Sequence, residues 1–189
     1  MVSIGEGAFT GCAALTIYGI PGSCAEIYAA NNNIIFMPVT IFTPVAGSGC
    51  VVDSEAGIIY GLEPGITAEQ FESSFVSVDS GYLLEYSTGA IGTGTVVSVK
   101  NDSTGEAVDS YTIIIFGDIN GDGSIDSLDA GTAVDYENYM LAWDPPFDEI
   151  MPFAGDINGD GSIDSLDAGI MVDAENYMLN ISQVTGRVI

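Results

Sequence analysis

The sequence predicts a multidomain α+β protein, and three observations point to this fold class. A loop followed by a helix occurs twice in the last third of the chain, the middle alternates β-type segments with glycine-rich turns, and the start has a repeat-like apolar spacing. We expect three regions, at residues 1–38, 39–116 and 117–189.

The first region combines an apolar pattern with a predicted helix and strand over residues 25–36. The pattern consists of Ile4, Phe9, Cys12, Leu15 and Ile17. This spacing resembles the closing repeat of bacterial surface-antigen leucine-rich repeat proteins. The resemblance implies a C-terminal cap with a buried Cys12 and further repeats before it, since one repeat cannot bury its own apolar face. An irregular extension of the next domain is the alternative.

The middle region reads as a small β-rich α+β or Ig-like module. Strands are predicted at residues 50–52, 57–62, 82–86, 95–100 and 108–116, and one helix, capped by Thr67, at residues 67–75. Its aromatic residues are interpreted as core, with a sugar-stacking platform as the alternative. They are Tyr60, Phe71, Phe75, Tyr82, Tyr86 and Tyr111.

The last region contains the run GDINGDGSIDSLDAG twice, at residues 117–131 and 155–169. Acidic and amide side chains stand at places one, three, five, nine and twelve of a twelve-residue loop, a serine offers its backbone carbonyl at place seven, and glycine at place six permits the sharp turn. This is the oxygen-ligand pattern that Ca²⁺ requires. The sequence therefore predicts two calcium ions, one for each loop. The predicted ligands are Asp118, Asn120, Asp122, Ser124, Asp126, Asp129, Asp156, Asn158, Asp160, Ser162, Asp164 and Asp167.

Both loops depart from an ordinary EF-hand. Place twelve is Asp instead of Glu, and the residues before each loop are a β-type run (111–116) and a proline-broken segment (145–153). We therefore expect no entering helix at either loop. A calcium sensor switches by changing the angle between entering and exiting helices, so this pattern favours a structural role for the metal.

The two units align at an offset of 38 residues and differ at three positions, Thr132/Ile170, Ala133/Met171 and Tyr136/Ala174. On a helix these differences lie on one side, beside Met140 and Met178, which we interpret as the core side. The opposite side is small, apolar and identical in the two units. This indicates that a partner packs against it, unless another part of the chain covers it.

These paired units, with the motif DxNxDGxIDxxD, resemble the dockerin family of anaerobic cell-surface assemblies, and the middle region looks like the accessory X-like module that often precedes dockerins. The resemblance implies calcium-dependent, non-catalytic binding to a cohesin module of a scaffoldin. It also implies two possible binding orientations, because the two units are alike. The predicted contact residues are Ser127, Leu128, Gly131, Val134, Asp135, Asn138, Ser165, Leu166, Gly169, Val172, Asp173 and Asn176.

Many dockerins carry Ser-Thr and then Lys-Arg at the recognition places, whereas this chain has Ser-Leu and then Val-Asp. A cohesin that reads basic residues should therefore reject it, and a different specificity group is expected. The resemblance further implies a secreted, cell-surface or cellulosome-associated protein that anchors leucine-rich repeat cargo, whose ligand is unknown. The alternative is an extracellular adhesin or carbohydrate-binding fragment in which the calcium sites are purely structural.

Composition excludes several other functions. A net charge of −25, from 27 acidic and two basic residues, excludes nucleic acid as a partner. The sequence has no histidine, which removes the usual general base and most zinc sites. It also shows no segment suited to membrane insertion. Carboxylate-pair glycoside hydrolysis stays open as an alternative because it needs only two Asp or Glu, but no motif places such a pair in a cleft. We therefore predict that the protein is not an enzyme.

Overall fold

The computed structural model describes residues 3–12, 14–20 and 22–189. It contains two compact units, residues 1–42 and residues 43–189. Helices and several small sheets occur together, which confirms the mixed α and β character expected from the sequence. Within the described residues, none of the helices has the length and apolarity needed to cross a membrane.

The first unit is a parallel strand pair joined by a helix. Strand β1 (Thr16–Gly19) pairs with β2 (Ile35–Pro38), and helix α1 (Cys24–Asn31) connects them, as parallel strands require a crossover. The predicted helix and strand are thus confirmed. The leucine-rich repeat cap itself stays a prediction.

Burial of Cys12 is a wrong prediction, because the side chain is exposed. Residues 6–11 form successive turns, and the Cys12 N–H donates to the carbonyl of Phe9, so the thiol follows a local turn on the surface. The apolar contacts fall elsewhere: the ring of Phe9 meets the buried ring of Tyr28 edge-on at 5.7 Å. Burial of Cys12 in such a repeat depends on a neighbouring repeat.

The second unit begins with a β-rich part. Strand β3 (Phe42–Pro44) pairs with β6 (Val76–Val78) in a two-stranded sheet. The other strands form one five-stranded sheet in the order β4-β5-β9-β8-β7, parallel only between β5 and β9. They are β4 (Val51–Asp53), β5 (Ile58–Tyr60), β7 (Tyr82–Tyr86), β8 (Val96–Asn101) and β9 (Ala107–Ile113). All five strands predicted for this region are confirmed, with shifts at their ends.

A short helix crosses this part between β5 and β6. Helix α2 (Ala68–Gln70) begins with a capping box in which the side chains of Thr67 and Gln70 bond each other's backbone N–H, and it continues as one π-helical turn (Phe71–Phe75). Phe71 is fully buried and Tyr111 nearly so, which confirms them as core residues. The remaining four aromatic residues are half-buried; they are Tyr60, Phe75, Tyr82 and Tyr86.

The C-terminal part of the second unit contains α3 (Ser127–Glu137), α4 (Phe147–Gly155) and α5 (Ser165–Glu175). Helices α3 and α5 pack on each other. Their shared core is buried and combines residues of α3, α4 and α5 with the two loops and the residues that follow β9. It consists of Ile114, Phe116, Ile119, Ala130, Ala133, Ala154, Ile157, Ile163, Ala168 and Met171.

Helix α4 corrects the prediction that neither loop has an entering helix, since it ends directly before the second loop. Pro146 stands at its N-cap, where a missing N–H costs nothing. Pro152 lies inside the helix, where proline costs about 3 kcal/mol. Burial of Met151 and Ala154 on one side of α4 offsets that cost. The first loop has no entering helix, because residues 114–117 follow strand β9 without one.

The predicted core side of the two long helices is only partly correct. Ala133 and Met171 are fully buried, but Met140 and Met178 are 71% and 69% exposed. Helix α3 ends at Glu137, and the chain then turns at Tyr139, which has a positive φ. Met140 therefore lies beyond the helix, and the helical periodicity used to predict its burial does not apply to it. The same turn follows α5.

Candidate functional site

Two identical loops lie at the N-termini of α3 and α5. Glycine at places four and six of each loop has positive φ, between 79° and 91°, which a side chain would oppose. These are Gly121 and Gly123 in the first loop and Gly159 and Gly161 in the second. The tight turns give each loop the compact backbone that a multidentate oxygen site requires.

The carboxylate at place one is fixed by amides of its own loop. Asp118 accepts hydrogen bonds from the N–H of Gly121 at 2.7 Å and of Gly123 at 3.0 Å. Asp156 accepts the equivalent bonds at 2.8 and 3.1 Å. The loop backbone therefore fixes the orientation of both carboxylates.

The carboxylate at place twelve closes each loop onto its helix. Asp129 accepts from the N–H of Ile119 at 2.9 Å and of Asn120 at 3.0 Å, and its second oxygen accepts from the N–H of Asp126. Asp126 in turn accepts from the N–H of Leu128, which completes a capping box at the start of α3. The second loop repeats these bonds at Asp167 and Asp164.

Burial of these acids is electrostatically unfavourable. Three of these acids have no solvent-exposed surface: Asp118, Asp129 and Asp167. Burial raises the pKa of Asp118 to about 6 and that of Asp129 to about 7, and it also raises the pKa of Asp167. Within each loop, the acid at place one further raises the pKa of the acid at place twelve. The loops therefore concentrate like charges that a cation would stabilise.

The chain has little positive charge of its own with which to stabilise these acidic loops. Of its two basic side chains, Lys100 pairs with Glu85 at 2.6 Å on the sheet, and the Arg187 guanidinium donates to the backbone oxygen of Asp156. Carboxylate and amide oxygens in a negatively charged loop are the type of donor that suits a divalent cation such as Ca²⁺. The residues present therefore fit that ion.

The structure places the predicted ligands around each loop without drawing them to one point. Place twelve is buried in both loops and place one is buried only in the first, whereas places three, five and seven are exposed in both. No three carboxylate or thiolate side chains among the described residues are gathered closely enough to enclose a metal ion. The loop amides described above hold the carboxylates instead, together with bonds from Asp122 N–H to Asn120 and from Ser124 N–H to Asp122.

The predicted partner face is open along both helices. Leu128 and Leu166 are each 64% exposed, and Val134 and Val172 are each 37% exposed. A shallow groove runs between α3 and α5 on this side. It is lined symmetrically by Ala130, Gly131, Val134, Asp135, Ala168, Gly169, Val172 and Asp173.

Gly131 and Gly169 stand inside the two helices on this open face. A Cβ built at either position meets no atom within 4 Å, so no close contact within the chain requires glycine there. The alternative that another part of the chain covers this side is therefore wrong for the described residues. Of the predicted contact residues only Asp173 is half-buried, and all the others are exposed.

Sequence reasoning missed the long-range contacts at the loops, two of which reach predicted ligand residues. Thr93, in the β-rich part, donates its N–H to Asp118 at 2.8 Å, and Arg187, near the C-terminus, bonds the backbone of Asp156. Both are long-range contacts, at 25 and 31 residues of separation, and no local pattern signals them. Arg187 is noticeable in the sequence as the only basic residue within 117–189. Its place beside the second loop cannot be read from the sequence.

Comparison with known families gives one match. Residues 116–174 match the dockerin type I domain, which covers less than a third of the chain. Searches of the curated proteins and of the solved structures gave no significant match. The match coincides with the duplicated loops and helices described above. Residues 116–174 therefore form a dockerin domain, a non-catalytic class of module that binds cohesins in a calcium-dependent manner.

Proposed function

We propose that this chain anchors its N-terminal region to a scaffoldin, at a cellulosome or on a cell surface, by binding a cohesin module through the open face of α3 and α5. The two loops each take one calcium ion, which gives two ions for the chain. The protein has no catalytic role in this assignment. The anchored cargo is the leucine-rich repeat region, and the β-rich part serves as the X-like accessory module.

One observation carries the proposal most directly. Gly131 and Gly169 each lie inside a helix, where glycine costs about 1 kcal/mol relative to alanine, and each faces open space. Intramolecular packing therefore does not account for them. Close approach of a second protein does, because a helix without side chains at these points lets another backbone or flat surface come near.

The side chains on the open face of α3 and α5 indicate what kind of surface the partner has. Leu128 and Leu166 are exposed leucines that suit apolar pockets, and Asp135 and Asp173 flank the groove with negative charge. Neither basic residue of the chain is on this face. We therefore expect a cohesin surface that is apolar at its centre and basic at its edge, unlike one that reads Lys-Arg pairs.

Calcium supports this face indirectly. The ion would be held by the six predicted oxygen donors of each loop, and it supplies positive charge that offsets the carboxylates at places one and twelve. The carboxylates at places nine and twelve form the capping boxes from which α3 and α5 start. Because both helices carry the partner face, loss of calcium should loosen that face and release the cohesin.

Calorimetric titration against cohesins of several specificity groups tests the proposal. Each titration is run in calcium and again in chelator, with a magnesium sample to separate calcium from general divalent effects. The proposal predicts one-to-one binding in calcium that is lost in chelator. Calcium-loaded protein that binds none of the cohesins would instead favour an adhesin or carbohydrate-binding fragment with structural calcium sites.

A further inference from the structure

The two loops are identical in sequence but differ in their surroundings. In the first loop Asp118 and Gly123 are buried, whereas in the second Asp156 is half-buried and Gly161 is exposed. Residues 158–162 are exposed without interruption. The Asp118 end of the first loop therefore lies beneath protein, whereas the same end of the second loop is open to solvent.

A segment of the β-rich part covers the first loop. Residues 91–95, here called the cover segment, are all buried. The Thr93 N–H donates to Asp118 at 2.8 Å, and the Thr93 hydroxyl bonds both the N–H and the carbonyl of Ile115 at 3.0 Å. One carboxylate oxygen of Asp118 thus accepts from Thr93 and Gly123 together, which has no counterpart at Asp156.

The cover segment also fits the loop backbone closely. A Cβ built on Gly92 would stand 2.4 Å from the carbonyl oxygen of Gly121, and one built on Gly123 would stand 2.2 Å from that of Ile91. On another side, the Gly65 N–H donates to the carbonyl of Gly123 at 2.7 Å. Glycines on both sides therefore permit backbone-to-backbone contact, and a shift of the cover segment is needed to open the loop.

The second loop has a positive charge in place of a cover. Arg187 donates from Nη1 to the backbone oxygen of Asp156 at 2.5 Å, and a Cβ on Gly159 would stand 2.7 Å from Nε of Arg187. A guanidinium this close to the loop repels a divalent cation. Lys100, the other basic residue, is paired with Glu85 on the sheet.

We propose that the two loops are unequal calcium sites: the loop at residues 118–129 holds its ion slowly beneath the cover segment, and the loop at residues 156–167 exchanges its ion fast beside Arg187. The inference rests on the proposed calcium function. It makes the β-rich part a positioning element for the first site. It also means that falling calcium empties the second loop before the first.

Stopped-flow release tests this on the full chain, with calcium-loaded protein mixed into a fluorescent chelator. The expected trace has two phases of equal amplitude whose rates differ at least tenfold. Asp156→Asn, in the second loop, should remove the fast phase and leave the slow one. A single phase that carries both ions would overturn the proposal. Protein that releases no calcium at all would instead contradict the calcium function on which the proposal rests.

Two variant pairs assign the phases to their causes. Gly92→Ala should push the cover segment from the first loop and speed the slow phase several-fold, whereas Gly89→Ala, with no atom within 4 Å of its Cβ, should change neither phase. Arg187→Gln should slow the fast phase several-fold, and Lys100→Gln should not. Where Gly92→Ala fails to fold, the arginine pair decides. A fast phase that Arg187→Gln leaves unchanged would overturn the assignment. So would a Gly92→Ala variant that alters the fast phase and leaves the slow phase unchanged.

Discussion

Gln183 holds the backbone of Phe116 with both ends of its side-chain amide. Its oxygen accepts the Phe116 N–H at 2.7 Å and its nitrogen donates to the Phe116 carbonyl at 2.8 Å, across 67 residues of sequence. Both residues are buried. Phe116 stands two residues before the first predicted calcium ligand, so the C-terminal segment ties the entry of the first loop to the end of the second unit.

Replacement of Gln183 by Leu should therefore destabilise the second unit. The change leaves one buried N–H and one buried carbonyl without a partner, and each such group costs about 1–3 kcal/mol. We expect a loss of about 2–4 kcal/mol, measured by urea unfolding in saturating calcium. The neighbouring Val184→Ala is the control, since Val184 is exposed and should change stability by less than about 0.5 kcal/mol. Equal unfolding curves for both variants would contradict this role of Gln183.

The helix glycines should show opposite effects on stability and on binding. Gly131→Ala and Gly169→Ala place a methyl group in open space and reduce the entropy of the unfolded chain, so each should stabilise by up to about 1 kcal/mol. The same methyl groups protrude into the proposed interface and should weaken cohesin binding. Thermal unfolding and calorimetry measure the two effects. Destabilisation by both substitutions would show that the glycines serve the fold instead.

The symmetry of the face predicts tolerance to damage in one unit. Leu128 and Leu166 have the same exposure, so a cohesin can use either helix as the main contact in two orientations related by a half-turn. Leu128→Asp alone, or Leu166→Asp alone, should reduce affinity only about twofold, since one of two equivalent modes is lost. Complete loss of binding from one single variant would indicate one orientation.

The buried carboxylates predict how pH acts on the calcium-free protein. Burial raises the pKa of Asp118 to about 6 and that of Asp129 to about 7, above the value of about 4 in an unfolded chain. The folded state thus favours their protonated forms, and this stabilisation is full below about pH 4 and is lost as pH rises through 6 to 7. The melting temperature of metal-stripped protein should therefore fall over this range.

Calcium should reverse that trend, because the ion binds the ionised carboxylates and protons compete with it at low pH. The matched variants are Asp129→Asn, which should flatten the pH dependence of the metal-stripped protein, and the exposed Asp102→Asn, which should not. A melting temperature of stripped protein that rises from pH 4 to 7 would contradict the assignment of Asp118 and Asp129 as buried acids.

Local sequence signals predicted the elements that depend on nearby residues. The five strands of the large sheet and helices α1, α3 and α5 follow from β-type runs, capping residues and periodicity. Helix α4 was missed because Pro152 breaks the local pattern while burial of Met151 and Ala154 supports the helix. Burial of Met140 was wrongly predicted because helical periodicity was extended past the turn that ends α3.

The sequence predicts which residues of the two loops are calcium ligands, but it does not predict which other parts of the chain contact the loops. Spacing alone placed Asp118 and Asp129 at the two ends of one loop, and duplication supported the same reading at Asp156 and Asp167. The contacts of Thr93 and Arg187 with these loops join residues far apart in sequence. Such contacts depend on how the sheet packs on the repeats, which no short motif encodes.

Titration of a surface double variant tests the central claim most directly. Leu128→Asp combined with Leu166→Asp places a charge on both copies of the proposed face, and its control combines Leu83→Asp with Val184→Asp, at two exposed apolar residues elsewhere. With a cohesin that binds the native protein in calcium, we predict no detectable binding by the first variant and native affinity for the control. Native affinity of the first variant would contradict the assignment of α3 and α5 as the partner face.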